Sequence, residues 1–384
     1  MAELTHRFLT SIDQCTQDDW NRLMVSDYPF SRHQWFAALE LSGATTAQTG
    51  WQPYHLLVEE AGVCVLIVPL FIKTHSYGEY VFDWAWADAY QHHGLSYYPK
   101  MLSAIPFTPC LGTRLIGGWQ RQDLLKFALA AIKEECDTRG LSGWHCLFPN
   151  ALQSDALSEI GLARRTGTQF HWFNRNYRDF GDFVATFSSR KRKNVLKERR
   201  RVLEQGFTFE VVAGNELAPE HWQFFYPLYQ HTYLKRSGHA GYLGAEFFQR
   251  LGTTLPQNCV MVIARLEGRQ VAASLLLRDS TTLYGRYWGC IEEFDFLHFE
   301  TCYYQGIDYA ISQGLQRFDG GAQGEHKLAR GFEPVTTVSH HWLQDVRFQA
   351  AIDDFLQRES AMVQSYFNDA RDHLPFKHEA SDTP

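Results

Sequence analysis

Residues 259–279 read CVMVIARLEGRQVAASLLLRD. Two runs rich in aliphatic and β-branched residues flank Glu267–Gly268, which predicts an antiparallel hairpin turning at that dipeptide. The next stretch, TTLYGRYWGCIEEFDFLHFETCYYQGIDYAISQGLQRFDGG, reads as strand, loop, helix and strand. Before the hairpin, EHWQFFYPLYQHTYLKRSG (220–238) and AEFFQRLGTTL (245–255) read as helices.

The first half follows a similar order. DDWNRLM (18–24) and SRHQWFAALELSG (31–43) read as short amphipathic helices, the second stopped by Gly43. HLLVEEAGVCVLIVPLFI (55–72) predicts two strands around Glu60–Ala61–Gly62. An aromatic segment, YVFDWAWADAYQHHGLSYYPKML, is expected to be extended, so that His92 and His93 face opposite ways. A helix, DLLKFALAAIKEECDTRG, and a strand, SGWHCLFPN, close the half. Pairing WADAYQHHGLSYYPKM with WGCIEEFDFLHFETCYYQGI makes the chain a weak tandem repeat.

At 384 residues the chain has room for two domains. Apolar residues are 45% and charged residues 21%, the balance of a globular protein, and no apolar run is long enough to span a membrane. The first twenty residues lack a signal pattern, and the eight cysteines are dispersed with no C-x-x-C pair. These features predict a cytoplasmic protein without a membrane span or a zinc ribbon. The formal charge of −7 argues against general nucleic-acid affinity. The charge is uneven, however. Residues 190–201 hold eight of the 36 Lys/Arg and one of the 43 Asp/Glu.

That cluster, in SSRKRKNVLKERRRVLEQGF (188–207), predicts a helix capped by Ser188 or Ser189 and stopped by Gly206, with Val195, Leu196, Val202 and Leu203 as its apolar stripe. Arg190, Lys191, Arg192 and Lys193 fall in the first turn, where the helix dipole penalises each exposed cation by about 0.3–1 kcal/mol. A docked anion would offset that penalty. A solvated helix between domains and a disordered charged tether are the other readings.

The order of elements resembles the GNAT acyltransferase fold. Two copies in one chain resemble the FemAB-like branch, which adds amino acids to peptidoglycan precursors. The basic segment 188–207 is similar to the linking helix of that branch, and QRFDGGAQGEHKLARGFEPV is similar to its closing strand and loop. YYPKMLSAIPFTP resembles, more narrowly, a bacterial group of predicted N-acyltransferases within the branch. The resemblance implies an α/β chain of two tandem GNAT-like domains with mixed central sheets. They are expected at 1–180 and at 181–384, the latter including the basic helix. It also implies an acyl-CoA or aminoacyl-tRNA donor, an amine acceptor of small-molecule or precursor type, and no metal. One departure stands out. Where GNAT enzymes carry a Q/R-x-x-G-x-G/A loop for the CoA pyrophosphate, this chain has GCIEEFDFLHFE (289–300), whose acidic side chains repel a pyrophosphate.

DGGAQGEHKLARGF (319–332) supplies the candidate acid–base residues. N-acyl transfer needs a base for the amine, donors for a developing oxyanion and a fixed attack distance. Glu325 and His326 can accept a proton, and Lys327 and Arg330 can hold an anion. No second His lies four residues after His326, so the segment carries no zinc motif. In the first half, His92, Tyr98 and Lys100 are expected acceptor contacts, since FemAB-like proteins bind acceptor near the first domain. Peptidoglycan-precursor aminoacyl transfer proper and a non-catalytic anion-binding role are the competing expectations.

Overall fold

Both hairpins form, and both turn the same way: Ala61–Gly62 and Glu267–Gly268 have φ of 51° and 78° in each case. Two successive positive φ values match the right-handed twist of the flanking strands. The structure, a computed structural model, describes residues 3–322 and 324–377. Among these, no helix is long and apolar enough to cross a membrane.

Packing divides the chain into two units. The first is Met1–Gly167 with Tyr242–Phe247 and Thr336–Gln364; the second is Thr168–Gly241 with Phe248–Val335 and Ser365–Pro384. A single cut between 180 and 181 does not describe this division. The chain returns late to the first unit because Ser339–Leu343 pairs antiparallel with Gly143–Leu147.

In the first unit, Leu4–Leu9 lies antiparallel to His55–Glu60, which forms the hairpin with Val63–Val68. After Pro69, Phe71–Lys73 pairs antiparallel with Lys100–Ser103, which runs parallel to Gly143–Leu147. In the second unit, Phe207–Ala213 lies antiparallel to Cys259–Leu266, the hairpin continues into Arg269–Arg278, and Thr282–Cys290 follows antiparallel. Thr282–Tyr284 then runs parallel to Arg317–Asp319. Each parallel pair requires a crossover, supplied by the helix Gln122–Arg139 in one unit and by Gln305–Ser312 in the other. The helices bury Leu124, Leu125 and Ile132, or Ile307 and Ala310, against their sheets. The two units therefore share an order of strands, although in the first the strand that continues the hairpin is broken at Pro69 and the hairpin lies in a separate sheet.

The residue pairing proposed for the repeat is corrected. Trp84–His92 is a helix, not an extended segment. Trp86 and Tyr90, four apart, bury one face of it against Leu343 and Phe348. In this helix His92 and His93 turn their Nδ1 atoms to the carbonyls of Asp88 and Ala89. The strand that matches Thr282–Cys290 is Lys100–Ser103, later in the sequence than the aromatic pairing placed it.

The basic helix spans Ser189–Glu204, and Gly206 follows at φ 90°. Val195 and Val202 are buried, whereas Leu196 and Leu203 are exposed, so the apolar stripe is narrower than expected. Ser188 occupies the cap position, but its side chain makes no capping hydrogen bond.

Gly289 fixes how the second unit's long helix is seated. A Cβ there would lie 2.3 Å from the Leu228 carbonyl oxygen, so the helix Pro219–Ser237 rests directly on the strand backbone. Gly289→Ala is expected to cost about 1–3 kcal/mol through overpacking. Chemical denaturation measures it; an unchanged midpoint would show that the helix is not seated there.

Candidate active site

Thr282–Tyr284 and Arg317–Asp319 are paired, and beyond them the two strands part. The register against the hairpin shifts at the same place: Leu276 faces Gly285 and Leu275 faces Tyr287, leaving Arg286 as the extra residue. Such a bulge re-aims side chains and ends regular pairing. Two adjoining cavities open there. One, of about 150 Å³, is lined by Ser274, Arg286, Cys302, Tyr303 and Gly320 among others. The other, of about 240 Å³, lies under Tyr229, Tyr233 and Arg236 of the long helix. Arg286, Tyr287, Trp288 and His298 line both.

The loop Glu325–Arg330 is a 3₁₀ turn between Gly324 and Gly331, both at positive φ. It brings its residues to different places. Lys327 is buried; its Nζ donates to the Gly321 carbonyl at 2.8 Å, and its stem lies against Gly320 in the cavity wall. Burial lowers its pKa to about 8, although the Asp319 carboxylate pulls the other way and Arg286 adds to the fall. Asp319 Oδ1 accepts from the Gly321 N–H at 2.8 Å and stands 3.7 Å from His171 Nε2. His326 Nε2 is 3.0 Å from the hydroxyl of Tyr303, a cavity-lining residue. Burial, with Lys327, Arg330 and Arg236 nearby, lowers the His326 pKa to about 4.

Glu325 and Arg330 depart from expectation. Glu325 is exposed and accepts from Tyr366 at 2.9 Å, and it lines neither cavity. Arg330 is buried and committed to protein groups. It donates to both Glu198 oxygens at 2.9 Å and to the His326 carbonyl at 2.7 Å, with its guanidinium 3.3 Å from the Phe299 ring centre. Its role is to clamp the loop to the basic helix. Glu198, the single acid in that cationic stretch, also accepts from Tyr304.

The segment before the basic helix packs against the end of this loop. A Cβ at Gly331 would fall 2.6 Å from Phe183 and 2.8 Å from Phe187, the aromatics just before the helix. Among the described residues, Arg190, Lys191, Arg192 and Lys193 form no ion pair or side-chain hydrogen bond.

His298 and Arg286 were missed in the sequence. No spacing marks them; the strand parting and the irregular turn into the next helix bring them together. His298 follows Phe296, which sits at φ 65°, and precedes a π-helical turn, Glu300–Tyr304. Its ring lies 5.3 Å from Trp288 and 5.5 Å from Tyr303, and no protein group hydrogen-bonds to its nitrogens among the described residues. Burial lowers its pKa to about 3, helped by the charges of His326, Arg236, Arg330 and Lys327. At neutral pH it is an uncharged imidazole facing the cavity.

In the first unit the matching gap is filled by the chain. Beyond Ser103 and Cys146, Gly112 bridges to Pro149 in parallel. Arg114 is buried there and donates to the carbonyls of Leu147 at 2.7 Å, Thr113 at 3.0 Å and Cys110 at 2.5 Å. The Tyr28 ring covers Gly112. The three expected acceptor contacts have different surroundings. Lys100 is fully buried on Glu79, Asp83 and Ser76; Tyr98 is half-buried with its hydroxyl 2.7 Å from Ser76; His92 is exposed on its helix.

Among the described residues, no group of three or more His, Cys, Asp or Glu could hold a metal ion.

A family model for FemAB-like proteins, described as peptidoglycan biosynthesis/recognition, matches residues 11–378. No curated protein matches the chain. Among solved structures, FemX superposes with a TM-score of 0.54 at 12% identity, covering 91% of this chain and 100% of FemX. A tandem GNAT protein from the clavulanic acid biosynthesis pathway gives 0.47 at 11% identity, covering 89% and 99%. A conserved protein of unknown function from Bacteroides thetaiotaomicron VPI-5482 gives 0.49 at 11% identity, covering 88% and 98%. The chain belongs to the FemAB-like family and shares the fold of FemX, a mixed α/β architecture with parallel and antiparallel strand pairs.

Proposed function

We propose that the second unit transfers an acyl or aminoacyl group to an amine acceptor, with peptidoglycan precursors as the acceptor class that the family description favours. Family membership and fold support a transferase. The observation that carries the reading is the cationic, aromatic cleft where Thr282–Cys290 and Arg317–Asp319 part, with His298 facing into it.

The amine nitrogen attacks the carbonyl carbon of the donor. A C–N bond forms, and the C–S bond of a thioester or the C–O bond of a ribose ester breaks. The proton leaving the nitrogen passes to His298 and then to the departing sulfur or oxygen. Tyr303, held by His326, and the Lys327 ammonium stand on the side where negative charge develops. His298 is a weak base in the free protein because burial and cations disfavour its charged form. An anionic substrate in the cleft neutralises that field and brings the imidazole toward working pH. The reaction is thereby tied to correct occupancy. Arg190, Lys191, Arg192 and Lys193 are the anchor for donor phosphates. The acidic segment Ile291–Phe296 disfavours a pyrophosphate held in the GNAT manner, which favours aminoacyl-tRNA over CoA.

Purified protein with charged tRNA or acyl-CoA and a panel of amines, precursor included, tests the reading. Product with tRNA alone is expected. Product with CoA alone would reassign the donor, and ligand binding without any product would make this a non-catalytic member of the fold. Glutamine at Arg190, Lys191 and Lys193 should weaken donor binding and flatten its salt dependence; an unchanged salt slope would remove the anchor. The pH behaviour has a sign. Since the His298 pKa lies near 3, its NMR signals should not titrate between pH 5 and 8 in the free protein, and a midpoint near the usual 6.5 would contradict the described environment.

A further inference from the structure

The larger cavity differs in character from a phosphate site. Its walls are aromatic (Tyr229, Tyr233, Trp288), and its charged groups are the guanidinium groups of Arg236 and Arg286, with His298 at the edge shared with the reaction cleft. Among the described residues no carboxylate lines it. Arg236 is exposed at the end of the long helix and makes no ion pair among the described residues. At about 240 Å³ the cavity suits a short chain and not a nucleotide. The neighbouring loop exposes Glu292, Glu293 and Asp295, with Glu293 paired to Lys235 beside Arg236, so a polyphosphate meets more repulsion there than a single carboxylate.

We propose that this cavity receives the transferred group itself, and that the group ends in a carboxylate held by Arg236 with Arg286. The inference rests on the transferase reading and narrows it to acidic acyl or aminoacyl donors. The carboxylate takes no part in bond making. It enters and leaves the reaction unchanged, and it supplies the negative charge that relieves His298.

The test separates the subsite from the transferase reading. Glutarate, its neutral diamide and inorganic phosphate are titrated by calorimetry into wild-type protein and Arg236→Gln. Glutarate should bind, the diamide should not, and Arg236→Gln should weaken glutarate by about tenfold, the loss of one charged hydrogen-bonding partner. Phosphate binding as well as glutarate would overturn the carboxylate assignment, and binding of neither would overturn the subsite. In the transfer arm, glutamyl-tRNA is set against glutaminyl-tRNA, and succinyl-CoA against butyryl-CoA. The acidic member of the used pair should be preferred in wild type, with the preference lost in Arg236→Gln. Equal use of both members sinks the subsite and leaves the transferase standing. Glutarate binding with no donor used sinks the transferase and leaves the subsite.

Discussion

Lys100→Ala is expected to destabilise the protein by about 3–5 kcal/mol, the cost of leaving buried charges unpaired. Lys100 is fully buried, with Nζ 2.8 Å from Glu79 and 2.5 Å from Asp83, both buried in turn. Their other oxygens, Glu79 Oε1 and Asp83 Oδ1, already have no hydrogen-bond partner. Removing the ammonium leaves two carboxylates in a dry site. Asp83 is the more exposed to this loss: although burial raises its pKa, Lys100 outweighs that and holds it at about 2. Burial dominates at Glu79 and raises it to about 7 despite Lys100.

The pH signs follow. The folded wild type keeps a proton on Glu79 from 4.5 up to about 7 while the unfolded chain sheds it, so this group's contribution falls as pH rises through that window. Asp83 contributes stability above 3.8 that is lost as pH falls toward 2. In Lys100→Ala both carboxylates bind protons more tightly, so the deficit should be smaller at pH 5 than at pH 8. Thermal melts at the two pH values measure this. Combining Lys100→Met with Glu79→Gln and Asp83→Asn should recover much of the loss. A Lys100→Ala variant as stable as wild type would mean that the triad does not exist as described.

The second large effect is on turnover. His298→Ala should reduce kcat by about 10²–10⁴, the usual contribution of a positioned base. The side chain is partly exposed and carries no protein hydrogen bond among the described residues, so stability should change little. His326→Ala should lower turnover less, because it acts through Tyr303, and Glu325→Gln should be near wild type because Glu325 faces Tyr366. Full activity in His298→Ala, or a larger loss in Glu325→Gln, would return the base to the loop.

What could be read in the chain depended on the range of the interactions. The hairpins at 60–63 and 266–269, the helix Gln122–Arg139 with Gly140 at φ 65°, and the basic helix all follow from residues a few positions apart. The cluster Glu325–Arg330 was legible as chemistry, but not which member faces the cleft, since Glu198, Tyr303 and Tyr366 decide that from far along the chain. Trp84–His92 was misread because aromatic residues favour strands on average, whereas here burial of Trp86 and Tyr90 on one helical face prevails.

By itself the sequence determined the two hairpins, the helices with clear caps and stops, and the placement of one concentrated positive charge, because turns, periodicity and charge are local properties. Tertiary structure decided which cleft is open. The first unit's gap is closed by Arg114 and Tyr28, while in the second the bulge at Arg286 lies where the strands part and the irregular turn around Phe296 brings His298 to the cavity wall. Those outcomes depend on packing between residues tens of positions apart, and such packing has no local signature.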